Sequence, residues 1–161
     1  MAILNSEVER IRAARDRLAR MRSKVELGPP PPDEIPRNRD WVAREILAHI
    51  DEMLPYWLGE IERILAGPVE PVPFGRIQGD LIRVMLVDRD RTLPVSELYA
   101  RLDIEAERVT RRLGHLDERQ CDRRGIGKQH GEMTVREIAD QMLAGHLEEH
   151  CEQLAAVLDQ G

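Results

Sequence analysis

Aromatic side chains are scarce in this chain: two Trp, two Tyr and one Phe make up 3% of its 161 residues. A β-sandwich or barrel leans on aromatic and β-branched residues, so their scarcity argues for helices packed on helices. Cysteine is scarce as well. Cys121 and Cys151 cannot build a disulfide framework, so both are expected as reduced thiols in a cytoplasmic protein. No apolar run reaches the ~18 residues of a membrane-spanning helix. The opening MAILNSEVERIR becomes charged before a signal-peptide apolar stretch can form. Charge of one sign is not segregated either. The formal net charge is −6 and Arg and Glu alternate along the chain, so there is no basic face to neutralise phosphates, and nucleic acid is excluded from the expected partners. The locally basic stretch from Arg10 to Lys24 reads as a solvated helix face.

What remains is 42% hydrophobic and 34% charged, which suits one domain over residues 1–161 with a core of Leu, Ile, Val, Ala and Met. Leu4, Val8, Ile11, Leu18, Met21 and Val25 recur at helical spacing and predict a first helix from Ser6 to Val25. Gly28 ends it, and Pro29 to Pro32 enforce a stiff extended connector. A second helix is expected from an N-cap at Asp40 to about Ala66, with a kink at Pro55 and a stop at Gly67 and Pro68. Residues 67–79 read as a long crossover loop. The apolar run Leu81 to Val87 is either a short helix or a buried extended segment, because periodicity cannot separate the two. A third helix is expected from Pro94 to Leu116, then a polar loop over 117–133. Thr134 and Glu137 form a capping box that opens a fourth helix running to the C-terminal end. Four long amphipathic helices with one long crossover predict an all-α, antiparallel four-helix bundle.

Three histidines occupy positions where the helical stripes call for apolar residues. His49 falls in the stripe Val42, Ile46, Met53, Trp57, Ile61, and His146 and His150 fall in the stripe Ala139, Met142, Val157. His146 and His150 are four apart, so their rings leave one helix face and can both reach a single ion. Imidazoles turned into a core need a partner. A metal, a buried carboxylate or a water would each serve, and the same-face pair with a third inward His favours a metal held by His49, His146 and His150. Glu45, Glu52 and Glu149 lie within a turn of these histidines and are candidates for orienting them or for proton transfer. His115 and His130 are expected at the surface, His130 within reach of the site mouth, and Cys151, pointing about 100° around the helix from His150, is expected either to pack or to lie at the surface. The string His146-Leu147-Glu148-Glu149-His150 also matches H-x-x-E-H, but too few residues follow it to supply the further acidic ligand of that protease pattern.

These stretches resemble the DinB/YfiT-like superfamily, which includes the N-terminal domains of mycothiol-dependent maleylpyruvate isomerases. Trp41 to Ile50 is similar to the opening of that family's second helix, with its Trp, its Arg-Glu-Ile-Leu core and its His. Leu102 to Leu116, leading to Asp117 and Glu118, resembles the third helix. Met133 to Ile138, followed by His146 and His150, resembles the last. The resemblance covers most of the chain from Trp41 onward and departs from the pattern at Pro55 and over residues 67–90. It implies a divalent ion, zinc or nickel, on His49, His146 and His150, and a homodimer. It also implies a small-molecule substrate. The reactions it implies are thiol-dependent S-transfer or isomerisation, with a low-molecular-weight thiol as cofactor, or hydrolysis. A non-catalytic, stress-response protein that binds a metal or small molecule is the other reading. Substrate choice is expected to rest on residues 67–90 and 117–133.

Overall fold

The computed structural model describes residues 2–37, 40–77 and 79–160. Its elements in chain order are α1 (Asn5–Arg20), α2 (Arg22–Leu27), α3 (Ala43–Ala66), β1 (Val72–Phe74), α4 (Leu81–Asp90), α5 (Val95–Gly114), α6 (Glu118–Cys121), β2 (Arg124–Gly127), β3 (Gly131–Thr134) and α7 (Val135–Ile138). A π-helical segment, Ala139–Gly145, then leads into α8 (His146–Asp159). Among the described residues no helix is long and apolar enough to cross a membrane.

The bundle consists of α1, α3, α5 and the continuous C-terminal helix. Its stripes bury as the spacing predicts: Leu4, Val8, Ile11, Leu18 and Val25 on the first helix, Leu98, Leu102, Ala106, Val109 and Leu113 on α5. α1 packs against α5 and α8, and α3 packs against the same two, so α1 and α3 occupy opposite corners. The first two long helices of the chain, α1 and α3, are therefore not neighbours, whereas α3 and α5 are. Arg91, at the end of α4, holds the connector between α2 and α3 by donating to the carbonyls of Pro32 and Asp33.

Several boundaries differ from the sequence reading. The first helix is interrupted at Met21 and resumes as α2. Asp40 does not cap the second helix: α3 begins at Ala43 with the extended Val42 before it. Trp41 turns inward instead and donates its indole N–H to the Pro36 carbonyl at 3.1 Å. α3 then runs through Pro55 unbroken to Ala66. The ambiguous run after residue 80 is a helix, α4, opened by the Asp80 carboxylate accepting from the Arg83 amide at 3.2 Å.

The two expected loops contain short strands. β2 lies between β1, to which it is parallel, and β3, to which it is antiparallel. This small sheet closes on α3 at Gly125, where a Cβ would come within 2.6 Å of both Ile64 and Phe74.

α3 is covered by α5, α4, α8 and β1, and every residue from Glu45 to Leu54 is buried. Its acidic residues are caught inside. Asp51 is 8% exposed, both its oxygens lack hydrogen-bond partners, and burial pushes its carboxyl up to about 9.

Candidate metal centre

His49 projects from the middle of α3 and is 3% exposed. His146 is the first residue of α8 and His150 lies one turn on. The core-facing row of α8 is Leu147, Cys151 and Leu154, so the two histidines flank the core on a cavity wall and are half-buried. This corrects the expected inward stripe, of which Ala139 alone is fully buried while Met142 and Val157 are partly so. The cause is the π-helical segment just before His146, whose wider turn shifts the rotation of everything after it. Arg10 of α1 brackets that segment, reaching Asp140 at 2.5 Å and also Glu148.

The three rings from two helices converge. Ring centres are 4.6 Å apart for His49 and His150, 4.6 Å for His146 and His150, and 5.6 Å for His49 and His146. One nitrogen from each lies within 4.8 Å of the others, and among the described residues no other group of histidines, cysteines and carboxylates converges in this way. Nδ1 of His146 and Nε2 of His150 are buried without a hydrogen-bond partner. Orphaned ring nitrogens are costly inside a protein, and a cation shared among the rings removes that cost. His150 is oriented through Nδ1, which lies 2.8 Å from the Gln153 side-chain oxygen. Burial, with the neighbouring imidazoles and Arg83 adding to it, lowers His146 to about 4 and His150 to about 3. His49 is lowered too, mainly by burial and against the pull of Glu52. All three are thus neutral at pH 7, which is the ligating form.

Glu52 sits one turn along α3 from His49, with 3.3 Å between Nδ1 and the carboxylate, a close charge contact without the alignment of a full hydrogen bond. Arg76 pairs with the other carboxylate oxygen and stacks on the Tyr56 ring at 3.8 Å. Burial alone would push the Glu52 carboxyl up, but His49 and Arg76 outweigh it and the net shift is down. Glu52 is therefore a carboxylate held against a candidate ligand. Of the other acids, Glu149 lines the cavity at its exposed rim, whereas Glu45 is fully buried, does not line the cavity and keeps both oxygens unpaired.

The cavity in front of the histidines has a volume of about 650 Å³. Trp41, Trp57, Ile77 and Met142 give it apolar walls, and Arg76, Arg83, Gln129, His130 and Gln141 give it polar ones. His130 does reach the mouth, 5.9 Å from the Trp57 ring. His115 stays at the surface, its Nδ1 2.6 Å from the Arg111 carbonyl. Cys151 packs in the core, with Sγ donating to the Ala14 carbonyl at 3.5 Å and burial pushing its thiol up to about 11. Sequence reasoning missed Arg76 and Arg83. A charge inside the apolar run 81–87 was the available signal for Arg83.

The profile of the DinB superfamily matches residues 8–154. The chain belongs to the DinB superfamily. Its fold is also that of YfiT from Bacillus subtilis, with a TM-score of 0.70 over 96% of this chain and 86% of that one, at 19% identity. YfiT is described as a probable metal-dependent hydrolase with an unusual four-helix bundle topology. The diagonal placement of α1 and α3 departs from a simple up-and-down bundle in this DinB-family chain. A search among curated proteins finds no match.

Proposed function

We propose that this DinB-family chain is a metal-dependent enzyme acting on a small molecule, with one divalent ion, zinc or nickel, held by His49, His146 and His150. One observation carries the reading: three neutral imidazoles from two helices converge at the wall of an open cavity and leave buried nitrogens without partners. Imidazole donors suit zinc and nickel, and an ion held by three protein ligands would keep a coordination position for water or substrate. A divalent ion there supplies Lewis-acid polarisation of a substrate oxygen or sulfur.

The protein's own groups do the rest. Glu52, itself held by Arg76, fixes the His49 ring. His130 and Glu149, on the cavity wall and rim, are the groups placed to carry a proton. Trp41 and Trp57 bind the apolar part of the substrate and exclude water.

The reaction class is nucleophilic substitution on a small electrophile, with water or a low-molecular-weight thiol as nucleophile. The chain does not supply the sulfur itself, because Cys121 and Cys151 are buried and burial raises both thiols. The test is turnover of ester, amide and alkyl or aryl halide panels by metal-loaded protein, with and without bacillithiol, mycothiol or glutathione. Turnover that vanishes with the metal supports the reading. Full metal occupancy with no turnover on any panel favours the alternative, a stress-response protein that binds a metal or small molecule. A homodimer is part of the same proposal, supported by the exposed Leu81, Ile82 and Met85 on α4, which would gain from being covered. Sedimentation analysis decides it.

A further inference from the structure

Glu52, Tyr56 and Glu60 follow one another at four-residue spacing on α3, so their side chains leave one face of the helix, the face that also carries His49. Both acids are buried, Glu52 at 8% and Glu60 at 5% exposure. Buried carboxylates need partners, and here both draw on the same short segment between β1 and α4. The Gly75 amide donates to Oε2 of Glu60 at 2.6 Å. Arg76 pairs with Glu52 and lies over the Tyr56 ring. Gly75 stands at φ +85°, which glycine adopts without strain.

Residues 75 and 76 thus form a strap across α3. The strap also faces the cavity, because Arg76 and Ile77 belong to its wall. This set of contacts therefore has a candidate metal ligand at one end, His49, 3.3 Å from Glu52, and the surface that a substrate would touch at the other. Lifting the strap takes Arg76 from Glu52 and the amide from Glu60, which leaves buried carboxylates short of a partner. A cation on the His49 ring polarises it toward the Glu52 carboxylate, and a firmer contact there holds Arg76 more firmly in turn.

We propose that residues 75–76 are a metal-linked strap: Arg76 is a positioning residue that acts through Glu52 on His49, and an ion on the three histidines in turn fixes the strap and the Arg76–Ile77 wall of the cavity. The inference rests on the reading of His49, His146 and His150 as the metal site. It adds that the substrate wall is completed when the metal is loaded. Linkage is reciprocal, so the factor by which zinc holds the strap down should match in size the factor by which the strap tightens zinc.

Zinc alone is the probe. Hydrogen exchange of peptides covering residues 72–77 is followed by mass spectrometry in zinc-free and zinc-loaded protein, with peptides of α5 as the control for general stabilisation. Zinc affinity is measured by competition with a chromophoric chelator in wild type, Arg76→Gln, Arg76→Lys and Glu60→Ala, each checked for helicity. Zinc should slow exchange over 72–77 by about fivefold or more beyond any change in α5. Arg76→Gln should weaken zinc binding by about tenfold and abolish that slowing. Arg76→Lys keeps a cation on Glu52 and should recover part of the affinity. Glu60→Ala removes the second anchor of the strap and should weaken zinc by a smaller factor, adding little to Arg76→Gln. One zinc per wild-type chain with exchange over 72–77 unchanged relative to α5, or equal zinc affinity in Arg76→Gln and wild type, overturns the inference and leaves the metal site standing. A wild-type chain that takes up no zinc overturns both. If Arg76→Gln does not fold, wild-type exchange with and without zinc and the affinity of Glu60→Ala still decide the question.

Discussion

Replacing Asp51 by Asn should stabilise the protein, by an amount that grows with pH. Asp51 is 8% exposed on the most enclosed stretch of α3, and its oxygens have no hydrogen-bond partner. Burial moves its carboxyl from 3.8 to about 9, against the partial relief offered by Arg101. Between those two values the unfolded chain is ionised and the folded one keeps its proton. Folding then binds a proton, so stability falls as pH rises, by at most about 1.4 kcal/mol per pH unit. The penalty is absent below pH 4 and complete above the folded value. By pH 7 it amounts to about 2–4 kcal/mol, the upper end being the full slope over three units. Asn has the same shape and no ionisation, and it finds no better partner there, so the difference between variant and wild type isolates the charge. Urea unfolding at pH 5, 7 and 8.5 measures it. The gap should widen steadily in favour of Asp51→Asn. A gap that stays constant with pH, or a variant less stable at pH 8.5, would show that the carboxylate has a partner or a water path and refute the reasoning.

Two further outcomes follow from close contacts. Glu52→Gln should fold normally but bind zinc about 10–100-fold more weakly, since it removes the carboxylate that holds His49. Competition against a chromophoric chelator measures this, and unchanged affinity would remove Glu52 from the site. Gly125→Ala should cost about 1–3 kcal/mol in urea unfolding, because its Cβ would meet Ile64 and Phe74 at 2.6 Å. A variant as stable as wild type would mean that the sheet is not seated on α3 as described.

The parts of the structure that announce themselves in the sequence are those with a strong period. The stripes of α1, α3 and α5, and the Thr134–Glu137 capping box, appear where the spacing places them because each is a local decision of the chain. The histidines were legible for the same reason: a polar ring on an otherwise apolar face needs a partner, and two of them share a turn. Features set by tertiary contact were not legible. Strands of three and four residues carry too little period to be seen among Pro and Gly, and they exist here because β2 has β1 and β3 to pair with. The π-helical segment has no sequence signature of its own, and it moved Cys151 into the core row and the histidines to the cavity wall. Asp40 is a good capping residue, but Trp41 buries beside it and the helix opens after both. The diagonal order of α1 and α3 lies beyond periodicity altogether, since a helix stripe does not say which neighbour will cover it.

The most direct test is metal stoichiometry. Purified wild-type protein, His49→Ala and His150→Ala should be incubated with zinc and with nickel, freed of excess, checked for helicity, and analysed for metal per chain. One ion per wild-type chain, with little or none in either folded variant, is the result expected if His49, His146 and His150 hold a shared cation. A wild-type chain that retains no metal, or a His49→Ala chain that retains all of it, would contradict that account.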